Sequence, residues 1–191
     1  MLVARWTGLL LLPLLVACSG GESNKDPVAE AKFQNEKRIG EQDITEKQQR
    51  DAEFVVNAAS RGMLLLEISQ IALRKATSPA VKTLAQTIVS QHTGLQQEVK
   101  TLAAQKSIVL PSALGKDQGE QAGELTALNG PAFDTRYLEQ LEKLHEQSID
   151  DYDDMSEDAY DGDIRALAAR QLAQLKQHLE AAEQVQDQLK K

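Results

Sequence analysis

The chain has 191 residues and a formal net charge of −8, which amounts to about one domain of sequence. Hydrophobic residues make up 41% and charged residues 26%, so a core can be buried and a polytopic membrane protein is excluded. Aromatics are 4%, Ala, Leu, Gln, Glu and Lys dominate, and there is no Lys/Arg block, which sets aside both an all-β fold and a nucleic-acid partner.

Residues 1–17 hold one basic side chain, Arg5, and an apolar run from Gly8 to Ala17. That run is well short of the ~20 residues of a spanning helix and reads as a signal peptide. It ends at Leu15-Val16-Ala17-Cys18, which resembles the lipobox of bacterial lipoproteins. The resemblance implies cleavage before Cys18, lipidation of its thiol and a membrane partner held through that lipid. Ser19, standing where the inner-membrane sorting pattern has Asp, implies the outer membrane, facing the periplasm. Cys18 is the only Cys, so no intramolecular disulfide can form and packing has to hold the fold.

Residues 18–49 are mostly polar, with isolated apolar positions such as Val28, Phe33, Ile39 and Ile44, and read as a flexible tether. A helix from Val28 to Arg38 is expected to be transient, because isolated helices of that length are marginal in water. Residues 50–191 form the folded domain. Phe54, Ala58, Leu65, Ile68, Ile71 and Ala72 recur at helical steps up to about Ala76. Thr77-Ser78-Pro79 then stops one helix and starts the next, with Ser78 as its cap. The second helix carries Val81, Ala85, Ile88, His92, Leu95, Val99 and Leu102 and fades near Lys106. Ser107 to Gly130, with Pro111 and four glycines, is an irregular connection holding one short helix near Gly119 to Leu128. A third helix follows Asn129-Gly130-Pro131 and a fourth follows Asp161-Gly162-Asp163. Short, long and short connections between four amphipathic helices predict an all-α, ferritin-like up-down four-helix bundle with a long middle crossover.

The three His of the chain, His92, His145 and His178, each fall on a different predicted helix, and Glu67 lies on the remaining one. All four sit among apolar neighbours: Met63, Leu64 and Ile71 around Glu67, Ile88 and Leu95 around His92, Leu141 and Ile149 around His145, Leu175 and Ala182 around His178. At 1.5 Å per residue, His145 and His178 lie level about the turn near Asp161. Glu67 and His92 differ by roughly 6 Å about the turn near Ser78, within reach of one helical turn or a tilt. Three imidazoles and one carboxylate suit a single ion of zinc, copper(II) or iron, lost below about pH 6.5 as the imidazoles protonate. The same four groups also suit a metal-free hydrogen-bonded network that fixes helix register.

The acidic run of Asp150, Asp151, Asp153, Asp154, Glu157, Asp158, Asp161 and Asp163 lacks the Gly and Glu frame of a calcium loop and reads as a solvated surface. No phosphate-binding loop, Cys-x-x-Cys or nucleophile elbow is present.

Asp51-Ala52-Glu53-Phe54-Val55, Gly62 to Glu67, Ala76 to Lys82, Gln91-His92-Thr93, Leu110-Pro111 and His178-Leu179-Glu180 resemble exported bacterial proteins grouped as domain of unknown function 4142, described as ferritin-like. The resemblance spans about Asp51 to Gln186. It implies a four-helix bundle outside the cytoplasm, with acid and His at Glu67, His92, His145 and His178, and no established activity. Di-iron oxidases of the ferritin type place Glu three residues before the ligand His on two helices. Here Val89 and Leu175 precede His92 and His178, so the bridging carboxylates are missing. The leading expectation is a non-enzymatic, lipid-anchored periplasmic protein that binds one transition metal, in metal handling or envelope stress. The alternatives are a metal-free structural or partner-binding envelope module and a metal-dependent redox enzyme.

Overall fold

The computed structural model describes residues 25–40 and 46–190; the signal-peptide segment and Cys18 lie outside the described residues. Among the described residues there are six helices and no strand: α1 (Pro27–Gly40), α2 (Glu46–Lys75), α3 (Pro79–Gln105), α4 (Lys116–Ala127), α5 (Gly130–Asp158) and α6 (Gly162–Leu189). None is long and apolar enough to cross a membrane.

The local signals that start these helices act as the sequence implies. Ser78 is extended, its Oγ accepts from the Val81 N–H at 3.4 Å, and Pro79 occupies the first turn. Asp161 caps α6 by accepting from the N–H groups of Asp163 (2.8 Å) and Ile164 (3.3 Å). Gly130, with φ +62°, turns the chain into α5 through a conformation that favours glycine.

Two hairpins, α2–α3 and α5–α6, pack together so that α2 lies on α5 and α3 on α6. Buried carboxylates fix how they dock. Asp134, near the start of α5, accepts from Thr77 N (3.0 Å), Thr77 Oγ1 (2.6 Å) and Ser78 N (2.8 Å) in the α2–α3 turn. At the opposite end Asp51, near the start of α2, accepts from Tyr160 N (3.0 Å) and Asp161 N (2.7 Å) in the α5–α6 turn. Lys106, at the end of α3, pairs with Asp161 and Asp163 at 2.6 Å, so α3 ends where α6 begins. The chain from Ser107 to Asn129 therefore travels the length of the molecule, and α4 makes part of that climb against α2 and α5.

Apolar burial is divided into two layers. Leu64, Leu65, Ile68, Ile88, Phe133, Tyr137, Leu141 and Ala182 belong to one cluster. Phe54, Val55, Leu95, Val99, Tyr152, Met155, Leu167 and Leu175 belong to the other. Each long helix contributes to both, so the waist between the clusters is a defined level of the molecule.

The tether expectation for residues 18–49 fails over Pro27–Gly40. Asp26 accepts from Val28 N (2.9 Å) and Ala29 N (3.0 Å) to start α1, and also from Lys116 N (2.6 Å) across the molecule. Asn35 is buried and bonds both ways to the Val109 main chain, at 2.8 Å each. These long-range bonds, with Ala31 and Ile39 buried and α1 packed on α2, give the short helix the order it would lack alone. The count is thus six helices rather than four. α4 answers to the short helix expected in the crossover, α1 is additional, and α2 starts at Glu46, within the stretch expected as tether.

Candidate metal centre

His92 on α3, His145 on α5 and His178 on α6 stand at the waist. Ile88, Leu141 and Ala182 of one apolar cluster lie to one side, Leu95, Tyr152 and Leu175 of the other cluster to the opposite side. The level calculated for His145 and His178 from the α5–α6 turn is the level at which they meet. All three rings are buried, His145 completely. His92 Nε2 is 3.2 Å from His145 Nε2 and 3.1 Å from His178 Nδ1. Among the described residues this is the group of His, Cys, Asp or Glu that converges, with one ligand atom from each His inside 4.8 Å of the others.

The outer nitrogens fix the tautomers. His145 Nδ1 lies 2.8 Å from the Leu141 carbonyl oxygen, which only accepts, so the proton is on Nδ1 and the lone pair of Nε2 faces the centre. His178 Nε2 faces Gln91 Oε1, which assigns its proton to Nε2 and leaves the lone pair of Nδ1 facing inward. His92 Nε2 therefore meets two acceptors with at most one proton to share. Burial depresses all three rings as bases: His145 and His178 to about 4, and His92 well below its ordinary value, with the neighbouring rings adding to the burial effect at His92. Neutral imidazoles at neutral pH are the form a metal requires.

Glu67 does not join them. The carboxylate is half-buried on α2 and stands outside the convergent group. On a helix of 3.6 residues per turn it lies about 60° from the core residue Leu64 and about 40° from Ile71, yet it takes no part in the imidazole cluster. Its apolar neighbours misled because α2 is covered on several sides, by α1, α3, α4 and α5, and apolar side chains surround it without defining one inward face. The convergent group is three imidazoles without a carboxylate, which also leaves a di-iron carboxylate site unassembled among the described residues.

Sequence reasoning missed the partners of the imidazoles, Gln91 and the Leu141 carbonyl. Position 91 adjoins His92, but nothing in its spacing marks it as facing α6. Also missed was Gln96, one turn beyond His92, whose Nε2 donates to Ala59 O at 2.7 Å while its buried Oε1 has no partner among the described residues. Gly62 makes room for it: a Cβ there would stand 1.9 Å from Gln96 Nε2. Beside His92 and Gln96, a cavity of about 20 Å³, also lined by Ser148, Tyr152 and Gln171, is large enough for one water molecule. A groove of about 660 Å³ lies elsewhere, between α2, α4 and α5, and no histidine lines it.

The acidic run is spent on the surface. Asp151, Asp153 and Asp154 pair with Arg61, Lys176 and Arg50, and no three of these acids gather as a cation site among the described residues. Exposed pairs of this kind each contribute little to stability.

No curated protein matches the chain. Among solved structures, a crystal structure of a DUF305 fragment from Deinococcus radiodurans aligns with a TM-score of 0.65 at 12% identity, covering 73% of this chain and 96% of that one. CopM in the Cu(II)-bound form aligns with a TM-score of 0.61 at 17% identity, covering 72% and 96%. At such identities the likeness establishes a shared helical fold. Residues 39–185, well over half the chain, match the family model described as "Domain of unknown function (DUF4142)", and the chain belongs to that family, as its sequence blocks implied.

Proposed function

We propose that this protein binds one transition-metal ion through His92, His145 and His178. The observation that carries the reading is a shortage of protons: two inward lone pairs, set by the partners of His145 and His178, converge on a third nitrogen at 3.2 and 3.1 Å. A cation resolves that conflict, and the spacing fits one. Metal–nitrogen bonds of about 2.0–2.1 Å at tetrahedral angles place ligand nitrogens about 3.3–3.4 Å apart. Imidazole donors suit copper, zinc and iron. Copper is the first to test, because CopM, a neighbour in fold, was solved in a Cu(II)-bound form.

The role we assign is metal handling in the cell envelope, with the domain held at the periplasmic face of the outer membrane through lipidated Cys18. The lipobox resemblance at Leu15 to Cys18 supports that address. The crossover between α3 and α5 supports a ferritin-like arrangement of α2, α3, α5 and α6, with α1 and α4 packed outside it. Among the described residues no carboxylate joins the three imidazoles, which weighs against a di-iron redox enzyme.

Purified without chelators from Ser19 onward, the protein is expected to take up about one equivalent of copper(II) or zinc by mass spectrometry, and to melt at a lower temperature once chelator removes it. Retention of under about a tenth of an equivalent, with a melting temperature indifferent to metal, rejects the reading in favour of a metal-free envelope module.

A further inference from the structure

The exposed side chain of Gln91 reaches across the α3–α6 seam to His178, where its Oε1 meets Nε2 of a ring that is otherwise buried. The inner nitrogen of His178 is Nδ1, whereas His92 and His145 present Nε2. An imidazole with its proton on Nδ1 would aim an N–H at His92 and offer no lone pair to an ion. An amide oxygen at Nε2 removes that option, since it accepts and cannot donate. Turned the other way, the same amide would present its NH₂ group and favour the wrong tautomer.

The geometry points to Gln91 as a positioning residue of the metal centre. It holds His178 in the Nε2–H tautomer, so that a divalent cation is bound by a mixed donor set of Nε2 from His92, Nε2 from His145 and Nδ1 from His178. This rests on the metal reading above. The two outer partners differ in kind. His145 is held by the Leu141 carbonyl, part of the α5 main chain, whereas His178 is held by an exposed side chain. His178 is thus the ligand whose outer partner stands at the surface. Outer partners of this sort change metal affinity by about 10–100-fold when removed.

The test combines proton–nitrogen correlation spectra of labelled histidines with zinc titration against a competing chelator. In the metal-free protein His178 is expected to carry its proton on Nε2, and zinc should perturb its Nδ1. Gln91→Ala should mix the His178 tautomers, lower zinc affinity about tenfold or more and speed zinc release to chelator. It should leave the metal-free melting temperature unchanged, because the side chain is exposed. Gln91→Glu, which keeps an accepting oxygen, should restore both tautomer and affinity. A purely structural Gln91 would move the melting temperature without moving the tautomer. A proton on Nδ1 of His178 in the wild type, zinc on its Nε2, or an unchanged affinity in Gln91→Ala overturns the inference while the metal reading stands. A wild-type chain that takes up no zinc overturns both.

Discussion

At each end of the molecule a buried carboxylate meets enough donors, whereas at the waist three buried imidazoles meet one another. Asp134 and Asp51 are 2% and 3% exposed and accept every bond described for them from the N–H and O–H groups of a turn. His92, His145 and His178 are as deeply buried, yet their inner nitrogens lack the protons to satisfy each other. A buried polar group without partners costs about 1–3 kcal/mol or more. The closed clusters hold the hairpins together, and the open cluster keeps its unmet capacity for something from outside.

The largest effect that sharpens this contrast is on metal affinity. His145→Ala removes a lone pair that the Leu141 carbonyl has already aimed, and should weaken copper(II) or zinc binding by a factor of about 10³, or about 4 kcal/mol, in a chelator competition. Retained affinity within about tenfold would mean that the ion sits elsewhere. Asp134→Ala should do the reverse. Thr77 and Ser78 lose the acceptor that ties the α2–α3 turn to α5, so unfolding in denaturant should cost about 3 kcal/mol less, while the folded protein binds metal as before.

What was legible in the sequence follows from what period and spacing encode. The helix starts at Ser78 and Asp161, the climb between the hairpins and the common level of His145 and His178 depend on near-neighbour chemistry and on a rise of 1.5 Å per residue. Those quantities are local. The order of α1 was hidden because it depends on Asn35 reaching Val109 and Asp26 reaching Lys116, bonds between positions far apart in the chain. Gln91 was hidden because its role depends on the azimuth of one helix against another. Asp51 and Asp134 are single acids with no period to betray them, and their value appears only when turns of another hairpin arrive beside them.

Acidification probes the histidine cluster directly. With His145 and His178 depressed to about 4 in the folded, metal-free protein, the unfolded chain takes up protons first, near 6.5. Their contribution is present above about 6.5 and is lost as pH falls toward about 4, below which the folded state protonates as well. Denaturant midpoints of the metal-free protein should therefore fall between pH 7 and 5, and should fall less in His178→Ala. The same depression alters the expectation of metal loss below about 6.5: protons compete only weakly with the ion at the folded site until the pH approaches that lower value. A bound ion released with a midpoint near 6.5 would show that the rings are not desolvated as their burial requires.

The smallest effect is the most pointed test of the ligand set. Glu67 is the one acid that helix-by-helix reasoning places with the histidines, and on α2 it stands beside the core residues Leu64 and Ile71 but outside the imidazole cluster. Glu67→Gln keeps the size and the hydrogen-bonding shape of the side chain while removing its charge. If the centre consists of three imidazoles, the substitution should leave metal stoichiometry and affinity unchanged and shift stability by no more than about 0.5 kcal/mol, as for other positions outside a buried network. A tenfold or greater loss of affinity would mean that the carboxylate swings in when an ion arrives. The contrast between the ends and the waist would then narrow, because the waist too would close with a group of its own.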